Sequence, residues 1–124
     1  MTSITRIDFI TIPTLDVKRT AAFYQDVLGL EESPHTVDTP RFEFDLGGTT
    51  LALWNPTEVG RKFQPNTNEI ALHCDDVEAM RTELESRGVA FSGPTIDTCV
   101  CNMALFADPE GNPLMLHGRY VPHS

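Results

Sequence analysis

Basic side chains are scarce in this sequence: nine Lys and Arg stand against eighteen Asp and Glu, a formal charge of −9 with a pI near 4.7. A chain so poor in positive charge offers no footprint for a polyanion, which argues against a nucleic-acid partner and against an anionic membrane surface. Also missing is any run of the roughly 18 to 20 apolar residues that a membrane span requires. The start, Met1-Thr-Ser-Ile-Thr-Arg6, lacks a basic stretch followed by an apolar one. Cysteine is limited to Cys74, Cys99 and Cys101, an odd number in a chain long enough to fold without staples, so free thiols and a cytoplasmic setting are expected. What is present suffices for one domain, since 124 residues, 40% of them apolar, can bury one core and not two. The partner left by these exclusions is a small molecule or another protein.

Apolar residues alternate strongly from Ile4 to Pro13, with Ile10 and Ile12 on one face and Phe9, Thr11 and Pro13 on the other, as in a half-buried strand. Asp16 has the place of a helix N-cap, Val17, Ala21, Tyr24 and Leu28 follow at helical spacing, and Gly29 closes the helix. Leu30 to Ser33, Arg41 to Leu46 and, after the turn Gly47-Gly48, Thr50 to Trp54 predict a three-strand meander. Asn55 to Asn68, with prolines and asparagines and no sustained period, is a connector.

The pattern then starts again. Ile70, Leu72 and Cys74 alternate with Glu69, Ala71 and His73; Asp76 caps a helix carrying Val77, Met80 and Leu84; Gly88 closes it; Val89 to Phe91 opens a strand. Cys99 to Ala107 and Leu114 to Tyr120 are two further strands, joined by the turn Asp108-Pro-Glu-Gly-Asn112. Asp16-Val17 and Gly29-Leu30 thus answer Asp76-Val77 and Gly88-Val89. The fold class is α+β, a single domain over 1–124 built from two tandem βαβββ modules at about 4–55 and 68–120, with a connector at 56–67. One helix covers one face of each module's sheet and leaves the other bare, so the two bare faces must meet or enclose a ligand, and the two modules are expected to curl into an incomplete barrel.

Four segments carry a family likeness: Ile10-Thr-Ile-Pro-Thr-Leu-Asp-Val17, Phe23-Tyr-Gln-Asp-Val-Leu-Gly-Leu30, His73-Cys-Asp-Asp-Val77 and Phe106-Ala-Asp-Pro-Glu-Gly-Asn-Pro-Leu114. Together and in this order they resemble signature segments of the vicinal oxygen chelate superfamily of glyoxalases, bleomycin-resistance proteins and extradiol dioxygenases. The resemblance implies mixed sheets, a concave cavity, a homodimer and, in the enzymes, a divalent metal held by His and Glu side chains. The positions it assigns to those ligands are here Phe9, Ala52, Glu69 and Met115. Neither Phe nor Ala offers a donor atom, and a thioether suits hard or borderline ions poorly. No resident metal or other cofactor is therefore expected.

With Ile, Leu and Val under the helices, alternation leaves Phe9, Thr11, Ala52, Trp54, Glu69, Ala71, His73, Met115 and His117 on the concave faces, and analogy adds Cys99, Cys101, Met103 and Leu105. Apolar walls with a few polar groups suit an organic ligand, with Trp54 or Phe9 as a stacking platform or, alternatively, as core or interface aromatics. The candidate ligand-binding residues are Phe9, Thr11, Trp54, Glu69, His73, Cys101, Met103, Met115 and His117. Cys99 and Cys101, two apart, are either buried small hydrophobes or a reactive pair. Arg41 and Arg61, in the charged loops 38–43 and 58–62, are candidates for pairing with an anionic ligand at the rim.

Two functions compete on these residues. One is a metal-free protein that sequesters an antibiotic-like molecule. The other is a lyase, isomerase or dioxygenase, working either through a displaced zinc, nickel, iron or manganese site at Glu69, His73 and His117 or through metal-independent acid–base catalysis by Glu69 with His73 or His117. A purely structural partner domain has nothing in the sequence to favour it.

Overall fold

A computed structural model describes residues 2–34 and 41–120. The chain forms two compact units, residues 1–65 and 66–124.

In the first unit, strand β1 (Phe9–Pro13) leads to helix α1 (Val17–Ala22), then to strands β2 (Arg41–Leu46) and β3 (Thr49–Trp54). The sheet order is β1-β3-β2, with β1 parallel and β2 antiparallel to β3. Asp16 caps α1 by accepting the Arg19 N–H at 3.1 Å. The α-helix stops six residues short of the expected Leu28, because Phe23–Val27 widens into a π-helical turn in which the Leu28 N–H reaches the Phe23 carbonyl at 3.1 Å. This wider turn carries Tyr24, fully buried, against Phe44 at a ring distance of 5.8 Å. Ile12, Leu51, Leu53 and Phe44 fill the same core. Burying each of these side chains is worth about 1.5–3 kcal/mol.

Two strand expectations shorten in this unit, and the connector gains a turn. Residues 4–8 are exposed and precede the sheet, so β1 begins at Phe9. Leu30 to Ser33 makes only a bridge from Glu32 to Phe44, flanked by hydrogen bonds from Ser33 N–H to the Glu43 carbonyl (2.8 Å) and from Asp45 N–H to the Glu31 carbonyl (3.2 Å). The connector holds a 3₁₀ turn, Pro56–Val59, capped by the Asn55 side chain and closed by Gly60 at φ +78°.

The second unit repeats the order: β4 (Ile70–His73), α2 (Val77–Ser86), β5 (Ile96–Asp97), β6 (Cys101–Ala107) and β7 (Pro113–Arg119). Its sheet runs β4-β7-β6-β5, again with the first strand parallel to the last and the others antiparallel. Asp76 accepts the Ala79 N–H at 3.0 Å, just as Asp16 does in the first unit. Helix α2 buries Val77 and Leu84, on the side where the sheet buries Ala104, Phe106, Leu114 and Leu116. The chain leaving β4 passes so close to β7 that a Cβ on Gly118 would lie 2.7 Å from the Cys74 carbonyl oxygen and 3.1 Å from the Val77 side chain.

Val89 to Phe91 is not a strand; this stretch is held by Ser92 N–H donating to the Leu105 carbonyl at 2.7 Å and by Arg81, whose guanidinium lies 4.8 Å from the Phe91 ring centre. Between β6 and β7 the Asp108 carboxylate accepts the N–H groups of Glu110 and Asn112, both at 2.9 Å, and Gly111 supplies a φ of +90°. The architecture is α+β with two mixed sheets, and neither sheet closes on itself within its unit.

Candidate functional site

Because paired residues on neighbouring strands share a face, the register defines what each sheet presents opposite its helix. In the first unit the open face carries three rows across β1, β3 and β2: Phe9, Thr50 and Asp45; Thr11, Ala52 and Glu43; Pro13, Trp54 and Arg41. Phe9 is half exposed and Thr11 exposed, whereas Ala52 has no exposed surface. Trp54 lies under Arg61, whose guanidinium sits 5.9 Å from the ring centre, within cation–π range. Arg61 thus meets one of the candidate aromatics from the connector. Arg41 and Glu43 belong to β2 and not to a loop, while Asp38 to Pro40 fall outside the described residues.

In the second unit, one row of the open face reads His73, His117, Met103 and Ile96 across β4, β7, β6 and β5. The next holds Ala71, Met115 and Leu105; on the other side of His117, Arg119 stands opposite Cys101. Met103, Met115 and His117 are half-buried, and Cys101 is 8% exposed. His73 is exposed, with its Nε2 3.1 Å from the Asp75 Oδ1.

The two cysteines expected on one strand face are separated. Cys99 lies in the turn before β6 with φ +73°, its N–H donating to the Asp97 Oδ1 at 2.8 Å, and it is exposed. Cys101 begins the strand, with its sulfur 3.1 Å from the Thr98 hydroxyl. The Cys74 thiol is pushed up from its ordinary value, chiefly by burial and further by the Asp76 and Asp75 carboxylates, which suppresses thiolate formation.

Glu69 immediately precedes β4 and is exposed. It shares the parity of Ala71 and His73, yet four residues of extended chain put it roughly 13 Å from His73 along the strand. The structure therefore brings His73 beside His117 but not beside Glu69. Among the described residues no group of three or more His, Cys, Asp and Glu side chains gathers where an ion would sit. Phe9, Ala52 and Met115, at the positions where the resemblance would require metal donors, do not fit a divalent ion of the expected kind.

The sequence reading missed Arg81. Beyond its contact with Phe91, it donates to the Thr95 hydroxyl at 3.1 Å and the Gly93 carbonyl at 2.9 Å, tying α2 to the loop that leads into β5. Its place at the middle of an amphipathic helix gives no signal for a partner 12 residues away.

Comparison with known proteins brings these faces into a wider context. A family description, "Glyoxalase/Bleomycin resistance protein/Dioxygenase superfamily", matches residues 6–116. No curated protein sequence matches significantly. Among solved structures, TnmS3, an antibiotic binding protein from Streptomyces sp. CB03234, is 26% identical, with 96% of this chain and 99% of that one covered at a TM-score of 0.77. A glyoxalase/bleomycin resistance protein from the same source is 27% identical over 90% and 98% of the two chains, at a TM-score of 0.70. A lactoylglutathione lyase from Agrobacterium tumefaciens, 20% identical over 94% and 96% at a TM-score of 0.77, shares the fold. No helix among the described residues is long and apolar enough to cross a membrane.

Proposed function

Since this chain belongs to the glyoxalase/bleomycin resistance protein/dioxygenase superfamily, we propose that it is a small-molecule-binding protein that sequesters an organic, antibiotic-like ligand without the superfamily's divalent metal. The observation that carries this reading is the substitution of three of the four expected donors by Phe9, Ala52 and Met115. The 26% identity to an antibiotic-binding protein over nearly both chains supports the same reading. Phe9, Thr11 and Trp54 on one open face, and Cys101, Met103, Met115 and His117 on the other, supply apolar surface with a few polar atoms, the usual lining for an organic ligand. The proposal includes a cytoplasmic homodimer, which suits three free thiols.

The competing reading, metal-independent catalysis by Glu69 and His73, needs two groups that lie about 13 Å apart along the strand to act on one substrate. It is the weaker of the two.

The deciding measurement is elemental analysis of protein purified without chelator and then exposed to nickel, zinc, iron(II) and manganese, followed by a thermal-shift screen of polycyclic and antibiotic-like compounds. Sequestration predicts no stoichiometric divalent metal and at least one compound that raises the melting temperature, with that rise reduced in Trp54→Ala. A stoichiometric divalent ion that is lost in Glu69→Gln, or turnover of a bound compound, would overturn it.

A further inference from the structure

The open face of the second unit has a chemical character that organic-ligand binding does not require. Met103 and His117 stand directly opposite each other on β6 and β7, and Met115 lies two residues before His117 on the same face. Cross-strand partners have Cα atoms about 4.5–5.5 Å apart and diagonal neighbours about 7–8 Å. Two thioethers and an imidazole, on side chains several ångströms long, can therefore converge on one point above the sheet. Cys101 lies diagonally across from His117 on the same face, where its sulfur, releasing its proton to solvent as it binds, is a fourth soft donor.

The donor types decide which ion fits. Thioether sulfur with imidazole suits Cu(I), whereas hard and borderline divalent ions find a poor partner in a thioether. The registered strand positions of this face carry no Asp or Glu; Leu105, Ala71 and Ile96 are apolar neighbours of Met115 and Met103, His73 stands beside His117, and Arg119 faces Cys101. With at most one thiolate among the donors and no carboxylate, a divalent ion would keep uncompensated charge, a penalty that a monovalent ion largely avoids. Among the described residues no group of three or more His, Cys, Asp and Glu side chains gathers around an ion site, so any ion held here depends on methionine.

We propose that Met103, Met115 and His117, with Cys101 at their edge, bind a single Cu(I) ion on the open face of the second unit. The inference goes beyond the sequestration reading while sharing these four residues with it, because it concerns a soft monovalent ion rather than an organic ligand.

The test is an anaerobic competition titration of the whole protein with Cu(I) against a chromophoric Cu(I) chelator, using a Cys74→Ser/Cys99→Ser background so that the two thiols outside the face do not contribute. One equivalent is expected to transfer from the chelator. Met103→Leu/Met115→Leu, close to volume-conserving and so expected to retain the fold, should weaken binding by at least about tenfold, since loss of even an outer-shell partner of a ligand costs that much. His117→Gln should do the same, and zinc should not compete. No transfer, or equal affinity in the methionine double variant with its unfolding curve intact, would overturn the proposal. The thermal-shift screen of organic compounds on the copper-free parent protein and on Trp54→Ala, which lies outside this face, reports separately on sequestration.

Discussion

Replacing Asn112 by alanine tests whether the β6–β7 turn is held by its side-chain network. Asn112 is 1% exposed; its Nδ2 donates to the Asp108 Oδ2 at 2.9 Å, and its Oδ1 accepts the Asn66 N–H at 2.8 Å. Loss of a bond to a carboxylate costs about 1.5–3 kcal/mol, and loss of the backbone bond about 1 kcal/mol more. The Asp108 carboxylate, 5% exposed, keeps its two backbone donors but loses this side-chain one. The expected total is about 2.5–4 kcal/mol. At an unfolding entropy of about 2.1 cal/mol/K per residue, that lowers the melting temperature of a chain this long by about 10–15 °C. Calorimetry or circular dichroism on Asn112→Ala measures it directly. A fall of less than about 4 °C, roughly 1 kcal/mol, would refute the idea that these contacts anchor the turn to the chain preceding β4.

Other consequences follow from single contacts. Gly118→Ala places a methyl 2.7 Å from the Cys74 carbonyl oxygen and should cost about 1–3 kcal/mol by overpacking, read from urea denaturation; an unchanged midpoint would show that β7 yields there freely. The Tyr120 hydroxyl donates to the Asp97 Oδ1 at 2.6 Å, which pushes its pKa from 10.0 up to about 12 and holds the Asp97 carboxyl below its usual 3.8. The raised tyrosine value favours the folded chain below pH 10 and loses that effect as pH rises through about 12; the lowered aspartate value favours it above pH 3.8 and loses that effect as the carboxyl protonates. Near-ultraviolet titration of Asp97→Asn should return one tyrosine towards 10, and an unmoved curve would exclude the pairing. Thiol labelling of the native protein should reach the exposed Cys99 first and Cys101 and Cys74 much more slowly; equal rates, checked by peptide mapping, would contradict the described burial.

The elements were legible where one residue type has one physical use. Asp16 and Asp76 announce helix starts, and in the structure both accept an N–H three residues on. Gly29 and Gly88 announce helix ends, and they take φ +76° and +94°. Alternation also placed Phe9, Thr11, Ala52 and Trp54 on one face and Ala71, His73, Met115 and His117 on another, as the register bears out. What alternation lacks is distance: it gave Glu69 the parity of His73 but not the roughly 13 Å of extended chain between them. The π-helical turn at Phe23–Val27 was hidden because five residues are too few for apolar spacing to separate an i→i+5 turn from an i→i+4 one. Cys99 at φ +73° was hidden because cysteine carries no turn signal, although the Asp97 carboxylate that accepts its N–H is a common turn device.

The absence of a donor at position 52 goes beyond the loss of one ligand. Ala52 sits in the central strand of its sheet with no exposed surface, directly opposite Thr11 on one side and Glu43 on the other. A glutamate there would need space the face does not leave and would set two carboxylates side by side across the strand pair, an arrangement that destabilises a sheet. Ala52→Glu is therefore expected to lose about 2–4 kcal/mol and to gain no metal, even combined with Phe9→His. Adding Glu43→Gln should recover part of the loss by removing the facing charge. If the Ala52→Glu chain instead melts with the parent and the double variant with Phe9→His takes up a stoichiometric divalent ion, then this face is missing only its ligands, and the close packing around position 52 has no bearing on its chemistry.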